Sequence, residues 1–167
     1  MARPRMKSFR NLVSGLLGAA AILTALPLPT HADSLTLEFP TLGVEAQTEA
    51  IDVQDGQLGV PVDPDRLGVY QVDGNMLIVG HVDWAGQQRV LADVRSFQLG
   101  EPIWLSDGRM YHVAWSKTLR VDADQNEWSA AFAPADDVLT LVTCSGPFSL
   151  SRHEYLERTV IRAVRDD

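Results

Sequence analysis

Short apolar runs separated by Gly, Pro, Asp and Ser dominate the chain. Met76-Leu-Ile-Val79 and Val138-Leu-Thr-Leu-Val142 are nearly continuous apolar segments, the pattern of strands buried on both faces. Thr159-Val-Ile-Arg-Ala-Val164 predicts a last strand. Pro102–Leu105 and Met110–Ser116 flank Ser106-Asp-Gly-Arg109, a hairpin signal. Ile51–Gln54 and Gln57–Val60 flank Asp55-Gly56 in the same way. Pro61-Val-Asp-Pro64 opens a loop that ends at Gly68. Helical spacing is seen at Val90, Val94 and Phe97, enough for a single turn or a short helix. Many short strands with little helix predict a mainly β protein, a closed barrel or a sandwich. A barrel also removes sticky strand edges.

The first 32 residues differ in kind. Arg3, Arg5, Lys7 and Arg10 make a basic start with no acid, and Leu12–Leu28 is apolar and small. Thr30-His31-Ala32 sets small residues three before and one before a cut ahead of Asp33. This is the layout of an export signal, with a retained N-terminal membrane anchor as the alternative. The apolar run is short for a span of about 20 residues, and Pro27 and Pro29 interrupt its end. Either reading places the protein outside the cytoplasm, secreted or tethered to the outer face of the membrane. Residues 33–44 are expected to be a linker and 45–167 a single domain.

Composition narrows the function. The chain of 167 residues carries a net charge of −8, and residues 33–167 hold 10 basic against 22 acidic residues. Such a balance opposes nucleic-acid binding, which needs clustered cations at phosphates. Cys144 is the only cysteine. Exported domains usually pair their cysteines, so a lone one is an inert packed thiol, an intermolecular bridge or a nucleophile.

Its neighbours favour the last reading. Cys144 directly follows the strand 138–142, with Ser145-Gly146-Pro147 turning the chain after it. His81 ends another strand, behind Gly80, and Arg158 is expected to open the final one. Thiolate is the nucleophilic form of cysteine, and imidazole is suited to move the proton near neutral pH. A guanidinium can hold a substrate carbonyl or an oxyanion. Cysteine, histidine and arginine are therefore a complete set for acyl transfer.

These residues resemble the sortase family. Leu139-Thr-Leu-Val-Thr-Cys144 is similar to its T-L-x-T-C signature. Val79-Gly-His81 resembles the glycine-histidine that ends an earlier barrel strand, and Arg158-Thr-Val-Ile-Arg-Ala163 resembles the arginine-led last strand. Pro61–Tyr70 is similar to the stretch before the histidine strand in class F. The resemblance covers about residue 45 onward. It implies a single closed sortase-type β-barrel with short helices or turns between strands. It also implies a cysteine transpeptidase with Cys144, His81 and Arg158 as catalytic residues. An LPXTG-like sorting signal would be cleaved through a thioester and the protein passed to an amine acceptor, such as a peptidoglycan precursor. Sorting-signal-bearing surface proteins are the implied partners, and a monomer the expected state. Thr143 and Trp84 are the candidate substrate-binding residues.

Departures and rivals frame that reading. Glu101 stands where the family has Asp, Val82-Asp83 follows His81, and the loop from Leu119 to Ala133 is acidic. Arg152 competes with Arg158, although register against the last strand favours Arg158. A surface ion pair with Glu154 or Glu157 is the bland alternative for Arg158. His112 and His153 are expected at the surface or on strands, and Trp84, Trp104, Trp115 and Trp128 in core or groove-rim packing. Asp122-Ala-Asp124-Gln-Asn126 imitates the start of a calcium loop, but Glu127 and Ala133 occupy its sixth and twelfth positions. No cofactor or metal is therefore expected, and calcium near Asp122 and Asp124 is the weaker reading. An L,D-transpeptidase would want a Ser-x-Gly-Cys-type motif, and a papain-like peptidase has Cys before His. A non-catalytic exported β-domain is the remaining rival.

Overall fold

The structure is a computed structural model that describes residues 34–54 and 57–166. Twelve strands occur among them: β1 (Thr36–Phe39), β2 (Val44–Ala50), β3 (Val53–Gln54), β4 (Gln57–Leu58), β5 (Leu67–Val72), β6 (Asn75–Gly80), β7 (Asp83–Trp84), β8 (Gln87–Gln88), β9 (Pro102–Leu105), β10 (Met110–Arg120), β11 (Val138–Ser149) and β12 (Glu154–Arg165). One helix, α1 (Gln125–Ala131), and 3-10 turns at Pro40–Leu42 and Val94–Ser96 complete the set. Eight strands close a barrel in the order β1-β2-β5-β6-β11-β12-β10-β9, while β3-β4 and β7-β8 are small hairpins outside it. The export signal or anchor expected over 1–32 and the Asp55-Gly56 turn lie outside the described residues.

Side chains on a strand alternate between faces, and the barrel uses both. Met76 and Ile78 of β6, Leu139 and Leu141 of β11, and Ile161 and Ala163 of β12 are buried together in the main core, with Leu37, Phe39 and Tyr111. The alternate residues of β11 and β12 face outward. There Val142 and Val160 join Leu119 and Ala131 in a second, smaller core, flanked by Trp115, Trp128 and Phe132. A register shift between Val113 and Trp115 turns the second half of β10 so that Leu119 reaches this outer cluster.

Helix α1 covers the outer cluster. Asp124 caps it, its Oδ1 accepting from the amides of Asn126 and Glu127 at 2.8 and 2.9 Å. At its other end the nearly buried Arg162 donates to the carbonyls of Ala131 at 3.4 Å and Ala133 at 2.7 Å. A cation at the helix C-terminus meets the negative end of its dipole and satisfies carbonyls the helix leaves unpaired.

Several expectations change. The segment 33–44 is not a linker, because β1 pairs with both β2 and β9 and buries Leu37 and Phe39 completely. Apolar Leu37 and Phe39 alternate with Glu38, so the period-two signal was present but short. The chain does not turn straight after Cys144: β11 continues to Ser149 through an irregularity between Ser145 and Phe148. Arg158 accordingly lies within β12 and not at its start. The loop from Leu119 to Ala133 contains the end of β10 and all of α1.

Candidate functional site

β11 pairs antiparallel with β12 so that Cys144 lies directly opposite Arg158. Opposed residues in such a pair present their side chains on one face. The same strand pairs in parallel with β6, with Thr143 opposite Gly80, so His81 and Cys144 each follow the last residue of that pairing. Cysteine and arginine, remote in the chain, thus lie opposite one another on β11 and β12, and histidine directly follows the end of the neighbouring β6. All three are half-buried.

Two local features fix this arrangement. Gly80 faces inward, where a Cβ would lie 2.7 Å from side-chain carbons of Leu67 and Leu91, so a larger residue would have to push those leucines aside. Thr143 is buried and its Oγ1 donates to the Gly80 carbonyl at 2.7 Å. Thr143 is therefore not a substrate contact as expected from the sequence. It pins the cysteine strand to the histidine strand from the core side.

Nε2 of His81 donates to the Pro61 carbonyl at 3.2 Å, since a carbonyl oxygen can only accept. The Trp84 ring packs against the imidazole, centroids 5.0 Å apart and planes at 59°, and half of Trp84 stays exposed. Nη1 of Arg158 donates to the carbonyls of Tyr155 at 2.8 Å and Glu157 at 2.9 Å. Arg158 is therefore held by its own strand, and the carboxylates suggested as its ion-pair partners are engaged elsewhere. Glu154 pairs with Arg152 at 2.6 Å, and Glu157 lies 3.9 Å from Arg95. Arg152, so engaged at an exposed turn, does not compete for the place opposite Cys144.

Burial is the main influence on the thiol and pushes its pKa above the ordinary value. Arg158 opposes the rise, while Asp83 and Glu154 add to it. Asp83 also accepts from the Tyr155 hydroxyl at 2.5 Å, and this bond to a carboxylate raises the pKa of the tyrosine. Tyr155 packs edge-on against Phe148, centroids 5.2 Å apart. The Asp83–Tyr155 bond links the hairpin after His81 to β12 beside the thiol. It joins residues 72 apart in sequence, and no local pattern pointed to it.

The remaining residues lie elsewhere. His112 on β10 pairs with Asp166 at 2.6 Å, and His153 sits in the β11–β12 turn at a positive φ of 55°. Among the described residues no group of three or more His, Cys, Asp or Glu side chains is placed to hold a metal ion. Asp122 is bound to Arg120 at 2.8 Å and Asp124 caps α1, so each acid has a partner within the chain. Among the described residues no helix is long and apolar enough to cross a membrane.

Comparison with known proteins gives a consistent picture. No curated protein sequence matches the chain. Its fold is similar to that of a lid mutant of sortase A from Corynebacterium diphtheriae, with a TM-score of 0.60 at 18% identity, covering 80% of this chain and 70% of that one. It is also similar to Clostridium perfringens sortase C with the C-terminal cell wall sorting motif, at a TM-score of 0.58 and 20% identity over 83% and 73% of the two chains. Sortase A of Listeria monocytogenes matches at 0.58 and 17% identity, over 80% and 87%. A family model described as the sortase domain matches residues 39–166. The chain therefore belongs to the sortase family of cysteine transpeptidases.

Proposed function

We propose that the protein cleaves an LPXTG-like C-terminal sorting signal outside the cytoplasm and transfers the severed protein to an amine acceptor, such as a cell-wall precursor. The observation that carries this reading is the strand register, in which Cys144 stands opposite Arg158 and His81 directly follows the Gly80 that pairs with Thr143. The sorting-motif complex of the sortase C relative supports the substrate class.

In the first step the Cys144 sulfur attacks the carbonyl carbon of the signal's threonine. The carbon–nitrogen bond breaks, His81 protonates the departing amine, and a thioester remains. In the second step an acceptor amine attacks the thioester, His81 takes its proton, and Cys144 is released as the free thiol. Arg158, steadied through Nη1 by two backbone carbonyls, directs its remaining donors to the substrate carbonyl and the oxyanion. Trp84, half exposed beside the imidazole, forms part of the groove wall.

Cys144 must lack its proton while His81 holds one. Burial raises the thiol's pKa, so the competent fraction is small near neutrality and the pH profile is bell-shaped. The test is covalent labelling by a sorting-signal peptide bearing a thiol-reactive group. Selective labelling of Cys144 that is lost in His81→Ala is expected. Equal labelling in both proteins, or none in either, sinks the proposal.

A further inference from the structure

The segment from Gly59 to Arg66 runs past His81, and its attachment to the barrel is specific. The amide of Val62 donates to Glu49 Oε1, a side chain at the end of β2. Asp65, further along, is bound by Nη1 of Arg89 at 2.8 Å. Arg89 is itself mostly buried and lies on the stretch that follows His81, where its amide donates to the Val82 carbonyl at 3.0 Å. Val62 and Asp65, both just after Pro61, thus tie this backbone to β2 and to the stretch after His81. Directly before Val62, the Pro61 carbonyl lies 3.2 Å from Nε2 of His81.

A neutral imidazole has one N–H and one lone pair, and the partner of one nitrogen decides the state of the other. The carbonyl demands the proton on Nε2, which leaves the lone pair on Nδ1. Resting on the acid–base role assigned to His81 above, we propose that Glu49 is a positioning residue for this reaction. By holding the Val62 amide it sets the Pro61 carbonyl as acceptor for Nε2–H. All proton traffic with Cys144, the leaving amine and the incoming amine then passes through Nδ1. The Nε2 proton stays in place throughout, so one ring orientation serves both steps. Glu49 does so without touching substrate or thiol, acting through two residues of backbone.

The experiment uses the full chain with 15N-labelled histidine, assigned with His81→Gln. The ring-nitrogen shifts are read where His81 is neutral. The wild type is expected in the Nε2–H form. Glu49→Gln keeps an oxygen for the Val62 amide and retains that form, with kcat on an LPXTG-like peptide within about twofold. Glu49→Leu removes the acceptor. It gives a mixture of the two tautomers, an unchanged melting temperature and a kcat lower by roughly tenfold, with KM within about twofold. Asp65→Ala, which frees the same segment from Arg89, shifts the tautomers in the same direction. A wild type in the Nδ1–H form overturns the proposal. So does a folded Glu49→Leu protein that keeps the wild-type tautomer, whatever its kcat. Tautomers are read without turnover, so this result stands apart from the labelling of Cys144 that tests the transpeptidase reading.

Discussion

The two faces of β11 and β12 are built from alternate residues of the same strands, yet they serve different ends. Inward, Leu139 and Leu141 meet Ile161 and Ala163 with no exposure at all. Outward, Val142 and Val160 form a patch between two chemical groups. Cys144 and Arg158 lie opposite one another at one end, and Arg162 holds the helix at the other. The outward row is a compromise. It buries an apolar cluster under α1 and leaves Cys144 and Arg158 half-exposed at its end. The Cys144 thiol is thereby mounted opposite Arg158 on a paired strand while staying half-exposed. Functional sites on regular elements hold their geometry more tightly than those on loops.

The sharpest way to break the comparison is at the outer end. Cys144→Ala is expected to reduce transpeptidation and peptide labelling to background, with the melting temperature little changed, because the smaller side chain fits the same backbone. Mutation of the inner face should do the reverse. Leu141→Ala removes a wholly buried side chain and is expected to cost about 2–5 kcal/mol in chemical denaturation, with activity per folded molecule retained. An inner mutation that kills activity without loss of stability would erase the distinction between the faces.

Arg158→Met tests the outer row more finely. It is expected to lower kcat roughly a hundredfold, as loss of an oxyanion donor does. Because Arg158 draws the thiol's pKa down, its removal also moves the onset of Cys144 alkylation to higher pH. The smallest effect is expected at Asp83, which pushes the thiol up. Asp83→Asn should shift the same alkylation profile to lower pH, measured with a small neutral reagent. Shifts of the same sign in both variants would mean that the thiol responds to general loosening and not to these two charges.

The barrel strands were legible where burial writes itself into sequence. β6, the first half of β11 and the second half of β12 are apolar runs, and the β9–β10 hairpin carries Asp-Gly at its turn. The catalytic candidates were legible as well, since each stands at or near the edge of such a run. What escaped was structure held by pairing and not by burial. Ser145 to Ser149 and Glu154 to Arg158 are too polar to announce strands, yet they extend the β11–β12 ladder. β1 was missed because four residues give a period-two pattern little room. Thr143 was misassigned because a strand's register decides which face a residue takes, and the short run before it did not fix that register. The contacts of His81 with Pro61 and of Asp83 with Tyr155 are non-local and leave no trace in spacing.

The parallel pairing of β6 with β11 has a consequence in time. Gly80 and Thr143, which share the hydrogen bond beneath the site, are 63 residues apart. A parallel pair closed over such a distance forms slowly, because the entropy of the intervening chain is lost before the contact returns anything. β6 is buried along its whole length, so until β11 arrives it presents an apolar strand with an unpaired edge. The pairing that brings the strand before His81 against the strand that carries Cys144 is thus the same step that covers this apolar edge.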